Sequence, residues 1–460
     1  MREKSYADRP STPPETLPPG VQNRREHVIH SGYMDDARDD RSPDIILLSR
    51  NLWFSGLFKM VLGEAKELDR RGVPNLLVFM LGSSGAPWLL PLLGKHRVSL
   101  VRGFPRHDVL SVASYILTKL LSPISSFEAR VDLAAVFLTY RFLRRQTSAQ
   151  LLCHDQYSGL SGLLLKLLNG ADYFVFVHDR TSEEINYRSP LQRKLGGAID
   201  RLVLKRSKGI FTNSQATRGS VARLLSGTRS PPLYLARCPA LDHSTRTLRT
   251  GDKDSMKPVV LVVTTWEAGR FPFWYARVAS FLKKGSMRLV GVWKDPAELT
   301  RVRGYITDNH LEERVTIVGE VTEAQLQEEY ERASLFLRIG RRESGPGFGI
   351  LEALGHGLPI VTNRGLGGSE ILEGNSEEVV LPEDDPSLIP PAKLAAVLDS
   401  ILSNPERLEL MRDSALRIAA GLSWESHIET ILKGMHYPQR ERGNQCFARG
   451  TESSPRTPSH

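Results

Sequence analysis

The sequence predicts an α/β protein with two Rossmann-like domains, whose parallel sheets face each other across an interdomain cleft. The chain has 460 residues, which is too long for one ordinary hydrophobic core. Short β-branched segments alternate with longer amphipathic segments, a pattern typical of parallel α/β sheets. This series starts twice, at Ile45 and again at Val259, and the polar residues 242–257 lie between the two starts. We therefore interpret 242–257 as a linker.

The first half begins with a predicted strand at Ile45–Ser49, followed by a turn through Gly56 and a helix that ends at Arg71. Gly72 is the stop signal of that helix. Helical segments separate most of the later strands, and 131–145 places its large apolar residues on one face. The further strands predicted in this half are 75–81, 98–102, 151–154, 173–178, 209–212 and 233–236.

The second half repeats the strand–helix alternation. Thr322 and Gln325 form a capping box ahead of one of its helices. Because ligands of open parallel sheets bind beyond the carboxyl ends of the strands, two such sheets predict a site in the cleft between them. The strands predicted here are 259–263, 288–292, 315–318, 335–337, 359–362 and 378–381.

The two ends of the chain differ in composition from its middle. Residues 1–43 and 438–460 are polar, rich in Pro, Ser and Arg and without periodicity, so we expect disordered tails. The N-terminal domain is expected to span 44–245 and the C-terminal domain 256–422. Residues 1–41 lack the apolar segment of a signal peptide, and no apolar run reaches the roughly 20 residues of a spanning helix. We therefore expect a cytoplasmic protein.

Charge and cysteine content restrict the partners and the compartment. The net charge of +9 is uneven, since residues 44–240 hold 27 Lys and Arg against 13 Asp and Glu. A basic half can attract nucleic acid, anionic lipid or phosphorylated substrates, or it can simply cover helix surfaces. The three cysteines are too few and too scattered for a disulfide framework or a zinc cluster, so a reducing compartment fits best.

The most informative segment is a glycine-rich loop in the second half. Gly345, Gly347 and Gly349 follow a strand and precede a short helix at 350–356. A helix start exposes unpaired amides at the positive end of the dipole, which is an anion site. Glu343 and Glu352 flank the loop, and their expected partners are hydroxyls, because a carboxylate repels phosphate. A nucleotide sugar offers both groups, whereas the alternative is a tight connection with exposed glutamates.

From Val315 to Val361 this pattern resembles the family 4 glycosyltransferases, which have the GT-B fold. Two glutamates around a Gly-Phe-Gly triplet and a later Pro-led strand characterise that family, and Glu343, Gly347–Gly349, Glu352 and Pro359 occupy these places. The looser resemblance extends over residues 45–436. It implies that a helix at 423–437, with Trp424, crosses back to the N-terminal domain.

The resemblance also implies roles for individual residues on the donor side. Glu343 would contact the donor sugar and Glu352 the ribose, while Gly319 would lie near the nucleobase. Arg270 falls on the place of a lysine that binds the diphosphate, whereas Thr264–Trp266 replace an arginine of the family. The amides expected to bind the diphosphate are those of Gly347, Phe348, Gly349 and Ile350.

In the N-terminal half, the strand ending in His178-Asp179 matches the family's catalytic strand, so His178 would lie beside the transferred sugar. Gly56 falls in the loop at 51–57 and is placed on the acceptor side. His154 ends an earlier strand, and it is either an acceptor-side residue or a packing residue. Asp252-Lys253-Asp254 spells a metal motif of another glycosyltransferase fold, but it lies in the linker and is interpreted as solvated charge.

The function implied is a retaining glycosyltransferase that moves a sugar from a UDP-, GDP- or ADP-sugar to a hydroxyl of a glycan, lipid or small molecule. The nucleotide sugar is a co-substrate, and neither a metal nor another cofactor is expected. A basic acceptor domain also suggests peripheral contact with an anionic membrane, at its inner face. The alternatives are a sugar-nucleotide epimerase of the same fold and a basic protein that binds nucleic acid or anionic surfaces. No nucleic-acid motif accompanies the charge, and no G-x-G-x-x-G follows a first strand as a dehydrogenase requires.

Overall fold

The computed structural model describes the two predicted α/β domains but not the tails. The residues described are 42–52, 55–81, 90–102, 133–146, 148–178, 190–227, 229–240, 257–341, 343, 345–374 and 377–438. The linker up to residue 256, with its Asp252-Lys253-Asp254 motif, and the two domain boundaries beside it, 245 and 256, lie outside these residues. The predicted tails lie outside them as well, apart from 42–43 and 438. Those boundaries stay predictions.

The N-terminal domain is built on a seven-stranded parallel sheet with the order β3-β2-β1-β4-β5-β6-β7. Each strand predicted from the sequence is present, with ends shifted by at most two residues. The strands are β1 Ile45–Asn51, β2 Asn75–Leu81, β3 Val98–Arg102, β4 Gln150–His154, β5 Tyr173–Val177, β6 Gly209–Thr212 and β7 Leu233–Leu235. The helices described between them are α1 Gly56–Arg70, α2 Leu90–Leu93, α3 Leu133–Leu143, α4 Ser158–Asn169, α5 Pro190–Arg206 and α6 Gln215–Leu224.

The C-terminal domain holds a six-stranded parallel sheet with the order β10-β9-β8-β11-β12-β13. The largest shift of a strand from its predicted place is that of β9, which begins two residues before the predicted start. The strands are β8 Val259–Val263, β9 Ser286–Val290, β10 Val315–Gly319, β11 Leu335–Arg338, β12 Ile360–Asn363 and β13 Val379–Leu381. The predicted fold class of two parallel-sheet α/β domains is confirmed.

Helices of the C-terminal domain begin at recognisable caps. The capping box of Thr322 and Gln325 is present, and Asp295 and Asn404 cap two further helices that each have proline as their first residue. The helices are α7 Pro272–Phe281, α8 Pro296–Asp308, α9 Glu323–Arg332, α10 Phe348–Gly355, α11 Ser369–Leu372, α12 Pro391–Leu402 and α13 Pro405–Ala420. Short 3-10 helices occupy Ala268–Arg270 and Pro386–Leu388.

The last helix, α14 at Trp424–Gly434, packs against α1 of the N-terminal domain. Gly63 permits this contact, because a Cβ there would lie 2.0 Å from the Trp424 ring. Ile428, Ile431 and Leu432 are buried in the same hydrophobic cluster as the core of the N-terminal sheet. The apolar face of α14 therefore belongs to the first domain, although the helix follows the second in sequence.

Candidate active site

The predicted site residues lie at the carboxyl ends of strands in both sheets. Each sheet reverses its winding direction once, between β1 and β4 in the first and between β8 and β11 in the second. The loops after these strands diverge at such a point and leave a crevice for ligands. In the N-terminal domain, Gly56 and His178 follow β1 and β5, and His154 is the last residue of β4. In the C-terminal domain, Gly319 is the last residue of β10, and the other candidates follow β8 and β11.

The glycine-rich loop leads directly into α10, whose first residue is Phe348 and whose N-cap is Gly347. Every helix leaves its first amides without an intrahelical acceptor, so the start of α10 carries unpaired donors. This start lies at the cleft, because Phe348 touches Gly56 of the N-terminal domain. The amide of Ile350 is already used, because it donates to the Gly347 carbonyl at 2.9 Å. Of the four amides predicted for the diphosphate, those of Gly347, Phe348 and Gly349 therefore remain as candidates.

Glu352 lies one turn inside α10 and is 4% exposed. Its Oε1 accepts a hydrogen bond from Lys59 Nζ at 2.8 Å, and its Oε2 accepts one from the Tyr330 hydroxyl at 2.7 Å. Burial and the Glu352 carboxylate hold the pKa of Tyr330 well above its ordinary value, so this hydroxyl remains a donor. Each carboxylate oxygen has a second lone pair, which leaves Glu352 able to accept two further hydrogen bonds.

Lys59 crosses the cleft, since it belongs to α1 of the N-terminal domain. Besides Glu352 it contacts Glu323, with a shortest N–O distance of 2.8 Å. Burial lowers the pKa of Lys59, but the two carboxylates more than offset this effect and raise it above its usual value. Protonated Lys59 of the N-terminal domain thus contacts the carboxylate of Glu352 in the C-terminal domain. That carboxylate lies one turn from the unpaired amides at the start of α10.

Glu343 is held by two arginines. Arg338 Nη2 lies 3.0 Å and 2.9 Å from its two carboxylate oxygens, and Arg270 contacts Oε2 from the opposite side. The backbone of Glu343 is fixed as well, because its amide donates to the Gly365 carbonyl at 3.0 Å. The structure therefore brings together two predicted residues, Arg270 and Glu343, and leaves the Glu343 side chain 13% exposed.

His178 follows β5 directly, and its ring stacks on Phe176 with centroids 4.0 Å apart. Its Nε2 lies 2.9 Å from His154 Nδ1. Its Nδ1 has no hydrogen-bond partner among the residues that the structure describes. Burial, and to a smaller extent His154, lower the pKa of His178 well below its ordinary value, so the ring is neutral at physiological pH.

The three weaker candidates have different surroundings. Gly56 touches the Phe348 ring across the cleft, where a Cβ would lie 2.0 Å from the ring, so the starts of α1 and α10 meet. Gly319 ends β10, and its carbonyl accepts from the Gly291 amide at 2.7 Å. His154 is fully buried, which favours the packing alternative over direct contact with an acceptor.

A second contact between the domains lies near this site. Glu370 of α11 accepts hydrogen bonds from the Gln215 amide at 2.9 Å and 2.8 Å, at the start of α6 in the N-terminal domain. A carboxylate at a helix start is favoured by the helix dipole. With the Lys59–Glu352 pair, this contact holds the two domains face to face.

Several residues of the site were not predicted from the sequence. Lys59, Tyr330 and Arg338 contact the predicted glutamates, and Glu64 and His427 lie behind His178. Lys59 and Glu64 belong to an amphipathic helix whose pattern only indicates burial. Tyr330, Arg338 and His427 lie in segments that carry the family resemblance, but not at the positions to which it assigns a role. The sequence contained one signal for such a residue. Thr264–Trp266 replace the family's diphosphate-binding arginine, which suggested that a basic residue elsewhere in the chain takes its role.

In the part of the chain that the structure describes, no group of three His, Cys, Asp or Glu side chains is arranged to hold a metal ion. The expectation of metal-independent chemistry stays a prediction. None of the helices within the described ranges is long and apolar enough to cross a bilayer.

Comparison with known families identifies the class to which the second domain belongs. Residues 259–404 match the model of the family described as glycosyl transferases group 1. The C-terminal domain of this chain is therefore a group 1 glycosyltransferase domain. This match supports the class of enzyme predicted from the sequence, a glycosyltransferase.

Among curated proteins, the chain is similar to D-inositol 3-phosphate glycosyltransferase 1 of Catenulispora acidiphila, with 29% identity over 140 residues. This match covers 30% of the chain and only 31% of the relative's length. It therefore supports the class of protein and does not define the reaction of the whole chain.

Solved structures match over both domains. HepE of Anabaena, crystallised with UDP and glucose, superposes with a TM-score of 0.65 at 15% identity and covers 86% of this chain and 100% of that one. Sucrose-phosphate synthase of Thermosynechococcus elongatus has a TM-score of 0.61 at 15% identity, covering 86% and 98%. WaaG, involved in lipopolysaccharide biosynthesis, has a TM-score of 0.60 at 14% identity, covering 84% and 98%. The predicted GT-B fold is confirmed.

Proposed function

We propose that this chain transfers a sugar from a nucleotide sugar to a hydroxyl acceptor, and that the C-terminal domain binds the donor. The arrangement of Glu352 and the start of α10 carries this proposal. The amides of Phe348 and Gly349 offer donors to a diphosphate, while Glu352 one turn further on offers acceptors to the ribose hydroxyls. In a nucleoside diphosphate, the diphosphate is attached directly to the ribose, so one molecule can reach both the helix start and Glu352.

Two cations support the departure of the nucleoside diphosphate. The leaving group gains negative charge in the transition state, and preorganised positive charge stabilises it most effectively where water is excluded. Arg270 lies beside Glu343, and Lys59 lies beside Glu352. Thr264–Trp266, after β8, replace the arginine that the family has there and supply no positive charge. Lys59 supplies that charge from the opposite domain, so domain closure would complete the donor site.

The proposed reaction retains the configuration of the anomeric carbon, as the sequence resemblance implies. The acceptor hydroxyl attacks the sugar from the face that the diphosphate leaves, through a short-lived ion pair and without a protein nucleophile. His178 hydrogen-bonds the sugar, and Glu343, fixed by its two arginines, contacts the sugar from the donor domain. No metal takes part in this proposal.

UDP-sugars are the first donors to test. The HepE structure contains UDP and glucose, and related crystals of that protein contain UDP or UDP-glucose. GDP- and ADP-sugars are compatible with the same contacts, because these contacts involve the diphosphate and the ribose rather than the base.

Thermal unfolding with nucleoside diphosphates tests the donor site. We expect UDP at about 100 times its Kd to raise the Tm by about 2–3 °C, with GDP and ADP as comparisons and EDTA present throughout. NMR of a transfer reaction should then show a product with the anomeric configuration of the donor. No Tm shift with any of the three would contradict the donor site, and an epimerised sugar formed without acceptor would favour the epimerase.

Peripheral contact with an anionic membrane is the second part of the proposal. The N-terminal half is basic, and Leu167 and Leu168 at the end of α4 are 54% and 62% exposed beside Lys166. Basic and apolar side chains together favour anionic bilayer surfaces. The protein should float with phosphatidylserine vesicles at low salt and dissociate as salt rises. Absence of flotation at low salt would count against membrane contact.

A further inference from the structure

A buried series of closely spaced ionisable side chains leads from the last helix to His178. Glu64 of α1 lies at its centre and is fully buried. Glu64 Oε1 is 2.9 Å from His427 Nε2, and Oε2 is 3.0 Å from His154 Nε2. His154 Nδ1 is in turn 2.9 Å from His178 Nε2. Four segments, α14, α1, β4 and the end of β5, therefore each contribute one ionisable group.

The acceptors around His427 determine where its protons lie. His427 Nδ1 is 2.8 Å from the Arg237 carbonyl, which can only accept a hydrogen bond. Its Nε2 faces the Glu64 carboxylate, which also only accepts. Both ring nitrogens of His427 must then carry a proton, and the positive ring and Glu64 form a buried pair without net charge.

The same reasoning extends to the next two rings. His154 Nε2 lies 3.0 Å from a carboxylate oxygen of Glu64, in an ion-pair contact rather than an aligned hydrogen bond. A proton on Nε2 is favoured there, because a lone pair would face the negative oxygen. A second positive ring would leave an uncompensated charge in the core, so His154 is neutral and its Nδ1 is an acceptor. The proton between the two rings must therefore be on His178 Nε2. His178 Nδ1 is left with a lone pair and with no partner among the described residues.

The pKa directions support an ionised Glu64 and a neutral His178. Burial raises the pKa of the Glu64 carboxyl, but His154 and His427 more than offset it and hold the pKa far below its usual value. The pKa of His178 is lowered by burial and by His154, whereas Glu64 raises it slightly. The Cys238 thiol is a further titratable group near Glu64, and burial raises its pKa well above its ordinary value, which keeps it neutral.

We propose that Glu64, His154 and His427 are positioning residues that fix His178 as the neutral tautomer protonated at Nε2. His178 Nδ1 then accepts a hydrogen bond from a hydroxyl of the sugar substrate, and it cannot donate one. This inference rests on the proposed function for the place of the sugar, but the tautomer itself is a property of the free protein. Through His427, the crossing helix α14 becomes part of the site.

Ring-nitrogen NMR of the full chain labelled with 15N-histidine tests the tautomer directly. Nitrogen shifts distinguish a protonated nitrogen from one with a lone pair, and loss of signals in His178→Asn assigns the residue among the 12 histidines. We expect a protonated Nε2 and an unprotonated Nδ1 at pH 7. A protonated Nδ1 would overturn the proposal.

Variants then test the positioning role. Glu64→Gln keeps the size of the side chain but removes the charge, and we expect about a 10- to 100-fold lower kcat with the donor KM changed less than twofold. The matched control is Glu67→Gln, on the same helix, whose carboxylate pairs with Arg70 and Arg71 instead. Its kcat and its His178 ring shifts should equal those of the wild type.

His427 provides an independent variant should Glu64→Gln not fold. His427→Gln keeps an amide donor for Glu64, so it should retain more kcat than His427→Ala. Wild-type kcat and wild-type His178 ring shifts in Glu64→Gln and His427→Ala would overturn the proposal. A wild-type protein with the expected ring shifts that neither binds nor turns over nucleotide sugars would instead remove the proposed function and leave the tautomer assignment intact.

Discussion

Replacing Glu352 with alanine is expected to lower kcat/KM for the nucleotide sugar and to weaken binding of the nucleoside diphosphate, each by at least about 100-fold. Two hydrogen bonds from ribose hydroxyls to a carboxylate are lost, and hydrogen bonds to charged groups contribute roughly 1.5–3 kcal/mol each. Lys59 and the Tyr330 hydroxyl also lose the acceptor that orients them. Calorimetry with the diphosphate and initial-rate kinetics measure the two effects separately.

Glu323→Gln is the matched control for Glu352→Ala. Glu323 contacts the same Lys59 nitrogen, but its side chain is 43% exposed, and it lies at the start of α9 rather than in α10. A surface ion pair contributes less than about 1 kcal/mol, so both constants should change less than about fivefold. Equal losses in the two variants would assign the effect to Lys59, and wild-type kinetics in Glu352→Ala would refute the ribose contact.

Replacing His178 with alanine is expected to lower kcat at least tenfold while nucleoside diphosphate binding stays unchanged. The imidazole acts on the transferred sugar in this account, so its loss affects the transition state more than the binding of the nucleotide. His178→Asn, which keeps an acceptor oxygen on a shorter side chain, should recover part of the rate. Equal kcat for His178→Ala and the wild type would exclude the proposed contact.

The pH dependence of stability gives a second test of His178. The pKa of its ring is lowered in the folded protein, so the unfolded chain binds a proton near pH 6.5 that the native protein does not. The free energy of unfolding should therefore fall as the pH is lowered below about 6.5, and it should fall less in His178→Ala. Urea unfolding at pH 7.5 and 5.5 measures this difference, and an identical pH dependence of the two proteins would contradict the lowered pKa.

Much of the fold was predictable because strand and helix patterns are local. The alternation of apolar segments gave every strand of both sheets, and the Thr322–Gln325 pair gave a helix start that the structure contains. Strand ends were less accurate, since the place where β9 begins depends on pairing with β8 and β10 rather than on its own residues.

The site was predictable only where its residues lie in one segment. Glu343, the glycine-rich loop and Glu352 are close in sequence, so their spacing indicated their use. Lys59 and Glu352 are 293 residues apart, and Glu64 and His427 are 363 apart, so no local pattern connects them. The sequence around Lys59 and Glu64 indicates only that this face of α1 is buried. Which residues they pair with depends on how the two domains and α14 pack together.

A crystal structure of the full chain with UDP tests the central claim most directly. The account predicts phosphate oxygens within hydrogen-bond distance of the Phe348 and Gly349 amides, with both ribose hydroxyls on Glu352 and Lys59 Nζ close to the diphosphate. UDP bound at another place, or a vacant α10 start in crystals grown at saturating UDP, would contradict it.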